Sequence, residues 1–401
     1  MKKIFILILL IRIFLSLLPS YEVDLRGWRF WSDRMTTLGP ANFYSREIFT
    51  DNPPGFLYVF WTIGEIQKNF LPEVQYGSVL SDLLLKFPSN LADLLTGFII
   101  YLIIKKHKNQ KTALTGFLLY TLNPAIFFNS SIMGQFDGSA ALFSLLSVYF
   151  LIKNNRSPEL SALSFAISWA IKPQSIVLVP LLILLTLTSQ KPLRWLTAGF
   201  TFLISSLIIY FPFFPQNPLY GLYYVNHAMT GIFTCTSCFT FNFWGIFGNW
   251  KDDLINFFNL PLLYWGFILT ALSFIPIFLF KPFLKRFREP FIYFTAAVSI
   301  MASFTFLTRM HERYIFPFFA FFLIAALLIK SRKLILFYII YSAFNLLNLY
   351  FPYAYYNTEL KLTPIFIDHL FRNFSFLSIL GFVLFLILLV TYLKVINTRK
   401  E

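Results

Sequence analysis

The sequence predicts an all-α polytopic membrane protein, with about twelve transmembrane helices and a long first outer loop that contains amphipathic helices. Three observations predict it. The 401-residue chain is 57% hydrophobic and 13% charged, outside the habit of ordinary soluble domains. Its basic residues gather in short clusters at 2–3, 105–111, 153–156, 191–194, 281–288, 330–333 and 394–400. Threading the apolar runs between them as alternating spans puts every cluster on the same side of a bilayer, and the acidic and aromatic polar segments on the other.

The positive-inside rule makes the clustered side cytoplasmic, with both termini there. On this threading the cytoplasmic segments hold roughly 20 Lys and Arg against about 3 Asp and Glu, and the outer segments roughly 12 against about 14. The net charge of +15 therefore sets topology. A nucleic-acid protein would instead carry a basic face on a soluble fold, so nucleic acid is excluded as a partner. Membrane lipids are the expected surroundings, and the basic side faces anionic headgroups.

A span needs about 20 apolar residues. Runs that meet or approach this lie at 3–19, 84–104, 112–129, 137–152, 158–171, 174–189, 195–213, 258–280, 290–307, 314–330, 334–352 and 373–393. The first resembles a signal peptide, but no small-x-small cleavage site follows it, so it is expected to stay as a span. The runs at 158–171 and 174–189 are short and meet at Lys172-Pro173-Gln174, which suggests a broken or tilted pair. The outer segments are 20–83, 214–257 and 352–372. In the first, Trp28, Phe30, Trp31, Tyr44, Tyr58, Phe60 and Trp61 alternate with charges, as suits amphipathic helices at headgroup level. No repeat or soluble segment interrupts the chain, so residues 1–401 read as one integral membrane domain.

The chemistry-bearing residues fall on the outer side. Asp24 follows the first span, and Asp51 precedes the turn-forming Pro53-Pro54-Gly55. An outer carboxylate held near an acceptor hydroxyl can act as a general base. Each Asp reads equally as a loop charge or a helix cap. In the segment 129–139, Gln135 and Asp137 suit sugar hydroxyls, while Asp137 also suits a cap on the next helix. The Lys-Ser/Thr ending of a phosphate loop is missing. Lys172, followed by Gln174, sits between two apolar runs, where a cation either snorkels or meets an anion.

Thr308 to Tyr314 is the densest polar cluster. On a helix Arg309 and Arg313 stand i, i+4 with Glu312 at i+3, and His311 points elsewhere. Paired guanidinium groups match phosphate oxygens; an Arg–Glu network that locks the loop is the alternative. Arg12 and Asp93 each lie roughly 12–14 Å from the outer ends of their spans, so they are expected to pair, with Lys86 as a competing partner. Cys235 and Cys238 form either a local disulfide or free thiols, and zinc ligands are too few for a metal site.

In order, these pieces resemble the GT-C membrane glycosyltransferases, most of all prokaryotic mannosyltransferase-like proteins related to the enzyme that adds the second mannose of GPI anchors. The resemblance rests on Asp24, Gly39-Pro40, Phe43-Tyr44, Asp51 with Pro53-Pro54-Gly55, Lys86, Asp93, Asn123-Pro124, Gly134-Gln135-Phe136-Asp137, Lys172-Pro173-Gln174 and residues 309–314. It implies inverting hexose transfer from a polyprenyl-phosphate-linked sugar donor to a lipid or glycan acceptor, at the outer face of the cell membrane and without a cofactor. It also implies an acidic base early in the first outer loop, which maps onto Asp24, with Asp51 and Asp33 as competitors. The chain departs from the pattern at Asn52, where a tyrosine commonly follows the Asp. A leaving phosphate needs cations, and Lys172, Arg309, His311 and Arg313 supply them. The competing reading is a transporter or flippase of a lipid-linked anionic glycan, which would show repeated halves; a structural scaffold is the third.

Overall fold

The computed structural model describes residues 2–45, 48–153, 156–278, 289–358 and 364–398. The basic cluster at 281–288 lies outside the described residues, as do parts of those at 153–156 and 394–400 and of the outer segment 352–372. The chain is helical nearly throughout, as the apolar periodicity demands. Among the described residues, five helices are long and apolar enough to cross a membrane: Val79–His107, Pro192–Tyr210, Glu289–Phe306, Arg332–Tyr356 and Phe374–Ile396. Shorter apolar helices run over Asp137–Ile152, Pro173–Thr188, Leu262–Phe278 and Pro317–Ile329.

Contacts divide the chain into two compact units. One comprises residues 1–96 and 126–232, the other 97–125 and 233–401.

In the first unit α1 (Lys2–Leu15) buries only Ile8 and Arg12 and leaves Leu7, Leu10 and Phe14 exposed, the surface of a lipid-facing helix. The expected amphipathic helices of the first loop are α2 (Glu22–Leu38) and α3 (Pro54–Phe70). α2 buries Leu25, Trp28, Trp31, Ser32 and Met35, a stripe at helical spacing. α3 starts at the second proline of Pro53-Pro54, because proline suits a helix's first turn. The two helices pack through Trp28 and Phe60, with ring centroids 5.8 Å apart, and Ser32 Oγ donates to Phe60 O at 2.8 Å. Phe56 stacks at 4.2 Å on Phe136, which joins this aromatic core to the 134–137 turn.

α4 (Val79–His107) crosses the division, with residues to Thr96 in the first unit. α5 (Gln110–Thr121) stops eight residues early for the expected span at 112–129, because Asn123-Pro124 breaks it. A short α6 (Pro124–Phe127) and a π-turn (Phe128–Met133) follow. α7 (Asp137–Ile152) and α8 (Pro158–Ile171) coincide with expected spans. The break at Lys172 is present: a 3-10 turn over Pro173–Leu178 separates α8 from α9 (Val179–Ser189). α10 (Pro192–Tyr210) and α11 (Pro218–Thr230) complete the unit.

The second unit holds α12 (Leu262–Phe278), α13 (Glu289–Phe306), α14 (Pro317–Ile329), α15 (Arg332–Tyr356), α16 (Pro364–Arg372) and α17 (Phe374–Thr398). α14 is buried on all sides from Phe318 to Ile329, as an all-round apolar helix must be. Two-residue strands are its only sheet among the described residues: β1 (Ser237–Cys238) pairs in parallel with β4 (Met310–His311), and β2 (Asn256–Phe257) pairs antiparallel with β3 (Leu260–Pro261). The span expected at 258–280 therefore begins in a hairpin, and its helix starts only at Leu262.

Candidate functional sites

The first unit gathers four of the sequence-derived candidates into one chain of contacts. Asp24 sits in the first turn of α2, where the helix dipole favours a carboxylate. Gly134 ends the π-turn at φ 87°, a left-handed conformation that suits glycine. That turn delivers Gln135 to the start of α2, where its Nε2 donates to Asp24 Oδ2 at 2.7 Å. Tyr21 N, just before α2, donates to Met133 O at 3.1 Å and fixes the same junction through the backbone.

Two residues on, Asp137 opens α7. Its Oδ1 lies 3.7 Å from Lys172 Nζ, and that ammonium sits 4.4 Å from the centre of the Phe136 ring. Lys172 is buried, so it meets an anion and an aromatic face rather than snorkelling to water. The second carboxylate oxygen of Asp137, the Oε1 of Gln135 and the Oε1 of Gln174 are buried and accept no hydrogen bond among the described residues. Polar atoms this dry usually have partners, so buried open acceptors at the 134–137 turn and on the 173–178 turn mark groups able to receive hydroxyl donors. Asn129 belongs with them: its amide oxygen and nitrogen are both buried with no hydrogen-bond partner among the described residues, in the π-turn, a kind of helix distortion frequent at functional sites. Asn129 is not among the residues singled out from the sequence; its polarity inside an apolar run was the available signal.

Asp51 accepts from Asn52 Nδ2 at 2.6 Å, and Tyr44 Oη donates to Asn52 O at 3.0 Å. It does not cap α3, whose N-cap is Pro53. The Tyr44 phenol is pushed well above its ordinary value by burial, with the neighbouring Tyr210 and Tyr58 adding to it, so it stays a neutral donor. Tyr44 also lines a cavity of about 220 Å³ with Ile48, Thr50, Tyr224 and Ala228. Asp33 lies further along α2, and its backbone carbonyl accepts from Thr37 Oγ1.

Lys86, expected to compete for Asp93, is elsewhere engaged. Its Nζ donates at 2.9 Å to Ser16 O and to Leu18 O, carbonyls left open where α1 ends. Arg12 meets Asp93 as expected, at 2.7 Å.

The 308–314 cluster lies in the second unit and is not helical, which corrects the i, i+4 geometry. Arg309 has φ 61°, and Met310–His311 form β4. A helical frame fails because Cys235 O takes the Arg309 N–H at 2.8 Å and β1 takes the next residues into a ladder. Arg309 turns to the buried Asp253, donating from Nε at 2.6 Å and Nη2 at 3.0 Å, and Thr308 Oγ1 adds a third donor at 2.8 Å. Asp253, unmarked in the sequence except as one of two adjacent carboxylates, thus anchors the segment. Cys235 and Cys238 are disulfide-bonded, and their loop is the partner of β4.

Beyond Arg309, Glu312 is buried between an arginine and an imidazole. Arg313 Nη1 donates to its Oε1 at 3.1 Å, and His311 Nδ1 lies 3.9 Å from its Oε2. Asn345 Nδ2 on α15 holds the Glu312 carbonyl at 3.2 Å. Edges of Phe233, Trp250 and Tyr314 surround the His311 ring at 4.9, 6.3 and 5.2 Å. An arginine and an imidazole beside one carboxylate are groups of the kind that bind oxyanions. Among the described residues no group of three His, Cys, Asp or Glu is placed to hold a metal ion.

Residues 51–217 match the model of the dolichyl-phosphate-mannose-protein mannosyltransferase family. The matched stretch takes in Asp51, Gln135, Asp137, Lys172 and Gln174; Asp24 and the 308–314 segment lie beyond it. No curated protein matches the chain. The family match over residues 51–217, together with the apolar helices, makes this chain similar to membrane glycosyltransferases of the GT-C type.

Proposed function

We propose that the protein transfers a mannose-type hexose, with inversion, from a polyprenyl-phosphate donor to a lipid or glycan acceptor on the outer face of the cell membrane. The observation that carries this reading is the 2.7 Å contact between Gln135 Nε2 and Asp24 Oδ2. It holds a carboxylate at the mouth of a turn whose other polar atoms are open acceptors. Asp24 is then the base that takes the acceptor's hydroxyl proton, and Gln135 fixes its direction. Asp51 remains the competing base. Gln174 and Asp137 receive sugar hydroxyls, and Lys172 supplies positive charge for an anionic group. His311 and Arg313 are assigned to phosphate binding in the second unit, with Glu312 orienting them and Arg309 holding their loop through Asp253. The family whose model matches is named for a dolichyl-phosphate-mannose donor, and this supports the choice of sugar and of carrier.

The test is transfer of radiolabelled mannose from polyprenyl phosphate by the purified protein and its Asp24→Asn variant. Turnover should fall by about 10²–10⁴-fold, the usual contribution of a general base, with donor binding kept. Unchanged turnover would remove Asp24 from the chemistry and move the role to Asp51. Transport of the intact lipid-linked sugar without transfer would favour the flippase reading.

A further inference from the structure

We propose that the β2–β3 hairpin is a membrane-anchoring wedge whose tip, Phe258, lies in the headgroup–acyl boundary of the bilayer. The sequence threading set its first strand in a water-facing loop; the structure gives it a different character. Leu254, Ile255, Phe257 and Phe258 are all exposed, Phe258 by 81%. No charged residue occurs from 254 to 278, so the hairpin and α12 form one uncharged apolar run.

The turn itself shows that the tip is placed at a cost. Phe258 and Asn259 have φ of 49° and 57°, the pattern of a type I′ hairpin turn. Asn and Gly adopt that conformation readily; a phenylalanine there is strained. A solvent-facing turn would have no use for it.

The backbone explains the depth. Leu262 N donates to Ile255 O and Leu263 N to Asp253 O, both at 3.0 Å, and Trp265 Nε1 donates to Phe257 O at 2.8 Å. Two-residue strands still leave outward-facing groups, which hydrocarbon would not satisfy. The boundary zone satisfies them while taking the aromatic rings.

Lipid is the fitting occupant on two grounds. The second strand runs directly into α12, whose Phe267, Leu272 and Ile275 are exposed apolar surface of the same kind. At the hairpin's base Lys251 and Asp252 are exposed, which sets a polar level immediately above the apolar one. The base is also rigid, because Asp253 is buried and bonded to Arg309. An inserted tip would therefore fix the height of the 308–314 loop relative to the membrane surface.

The experiment uses the full-length protein in nanodiscs of phosphatidylcholine and phosphatidylglycerol. F258C and, as the polar reference, D252C are each labelled with a nitroxide, and collision rates are measured with oxygen and with a water-soluble nickel chelate. The label at 258 should show higher oxygen and several-fold lower chelate accessibility than the label at 252. Equal chelate accessibility at the two positions would overturn the proposal, and so would a label at 258 shielded from both probes, which would assign the tip to a protein partner. As a second reading, F258W should gain fluorescence that lipids brominated high on the acyl chain quench; absence of quenching would also overturn the wedge.

Discussion

Arg12 Nη1 donates a 2.7 Å hydrogen bond to Asp93 Oδ2, with the two side chains 1% and 0% exposed. Around them Asn90 ties three segments together. Its Oδ1 accepts from Ser131 Oγ at 2.5 Å and from Arg12 Nη1 at 3.4 Å, and its Nδ2 donates to Ser16 Oγ at 3.1 Å. α1, α4 and the π-turn are thereby joined beneath the junction that carries Asp24 and Gln135. Arg12→Leu and Asp93→Leu should each cost about 3–5 kcal/mol, because each strands a buried charge. The double variant should recover part of the loss. Thermal unfolding in detergent checks this, and strictly additive losses would mean that the pair is not coupled.

Gly55→Ala should destabilise the first unit. A methyl group at Gly55 would sit 2.5 Å from Ala170 O and 2.6 Å from Ala170 C, and these backbone atoms have little room to move. The start of α3 and the end of α8 must separate to admit it, and overpacking of this kind typically costs about 1–3 kcal/mol. A melting temperature equal to that of the parent would show that the two helices adjust freely.

The Glu22–Arg29–Asp82 bridge should make stability depend on acid pH. Arg29 donates from Nη1 to Glu22 Oε1 at 2.6 Å and from Nη2 to Asp82 Oδ2 at 2.7 Å. Burial by itself would raise the Glu22 carboxyl, but hydrogen bonds and charge from Arg29 and Arg26 outweigh it and hold the group below its ordinary value. A depressed folded value means that the contribution is full above the ordinary carboxylate range and is lost as pH falls through the depressed value. Melting curves of parent and Glu22→Gln protein should therefore converge on acidification. A gap that stays constant with pH would contradict the linkage.

Arg313→Lys should weaken phosphate binding although charge is kept, because the ammonium lacks the planar fork. Arg313→Ala should weaken it further, by about 1.5–3 kcal/mol for a lost charge-assisted bond. Titration calorimetry with a short-chain polyprenyl phosphate measures both, and equal affinities in all three proteins would make the cluster purely structural.

The sequence by itself determined the helical membrane class, the amphipathic helices of the first loop, the break at Lys172 and the pairing of Arg12 with Asp93. Each follows from a local rule: apolar periodicity, proline's missing N–H, or the expense of an isolated charge among apolar residues. The contact of Gln135 with Asp24 was open to tertiary structure alone, because 111 residues separate the two and only the left-handed Gly134 aims one at the other. The extended course of 308–314 was likewise decided by distant partners. An Arg-Met-His-Glu-Arg stretch reads as helix until Cys235 O, the β1 strand and Asp253 claim its backbone and first guanidinium. Lys86 found backbone carbonyls at the end of α1 rather than a carboxylate, since open carbonyls leave no mark in a sequence.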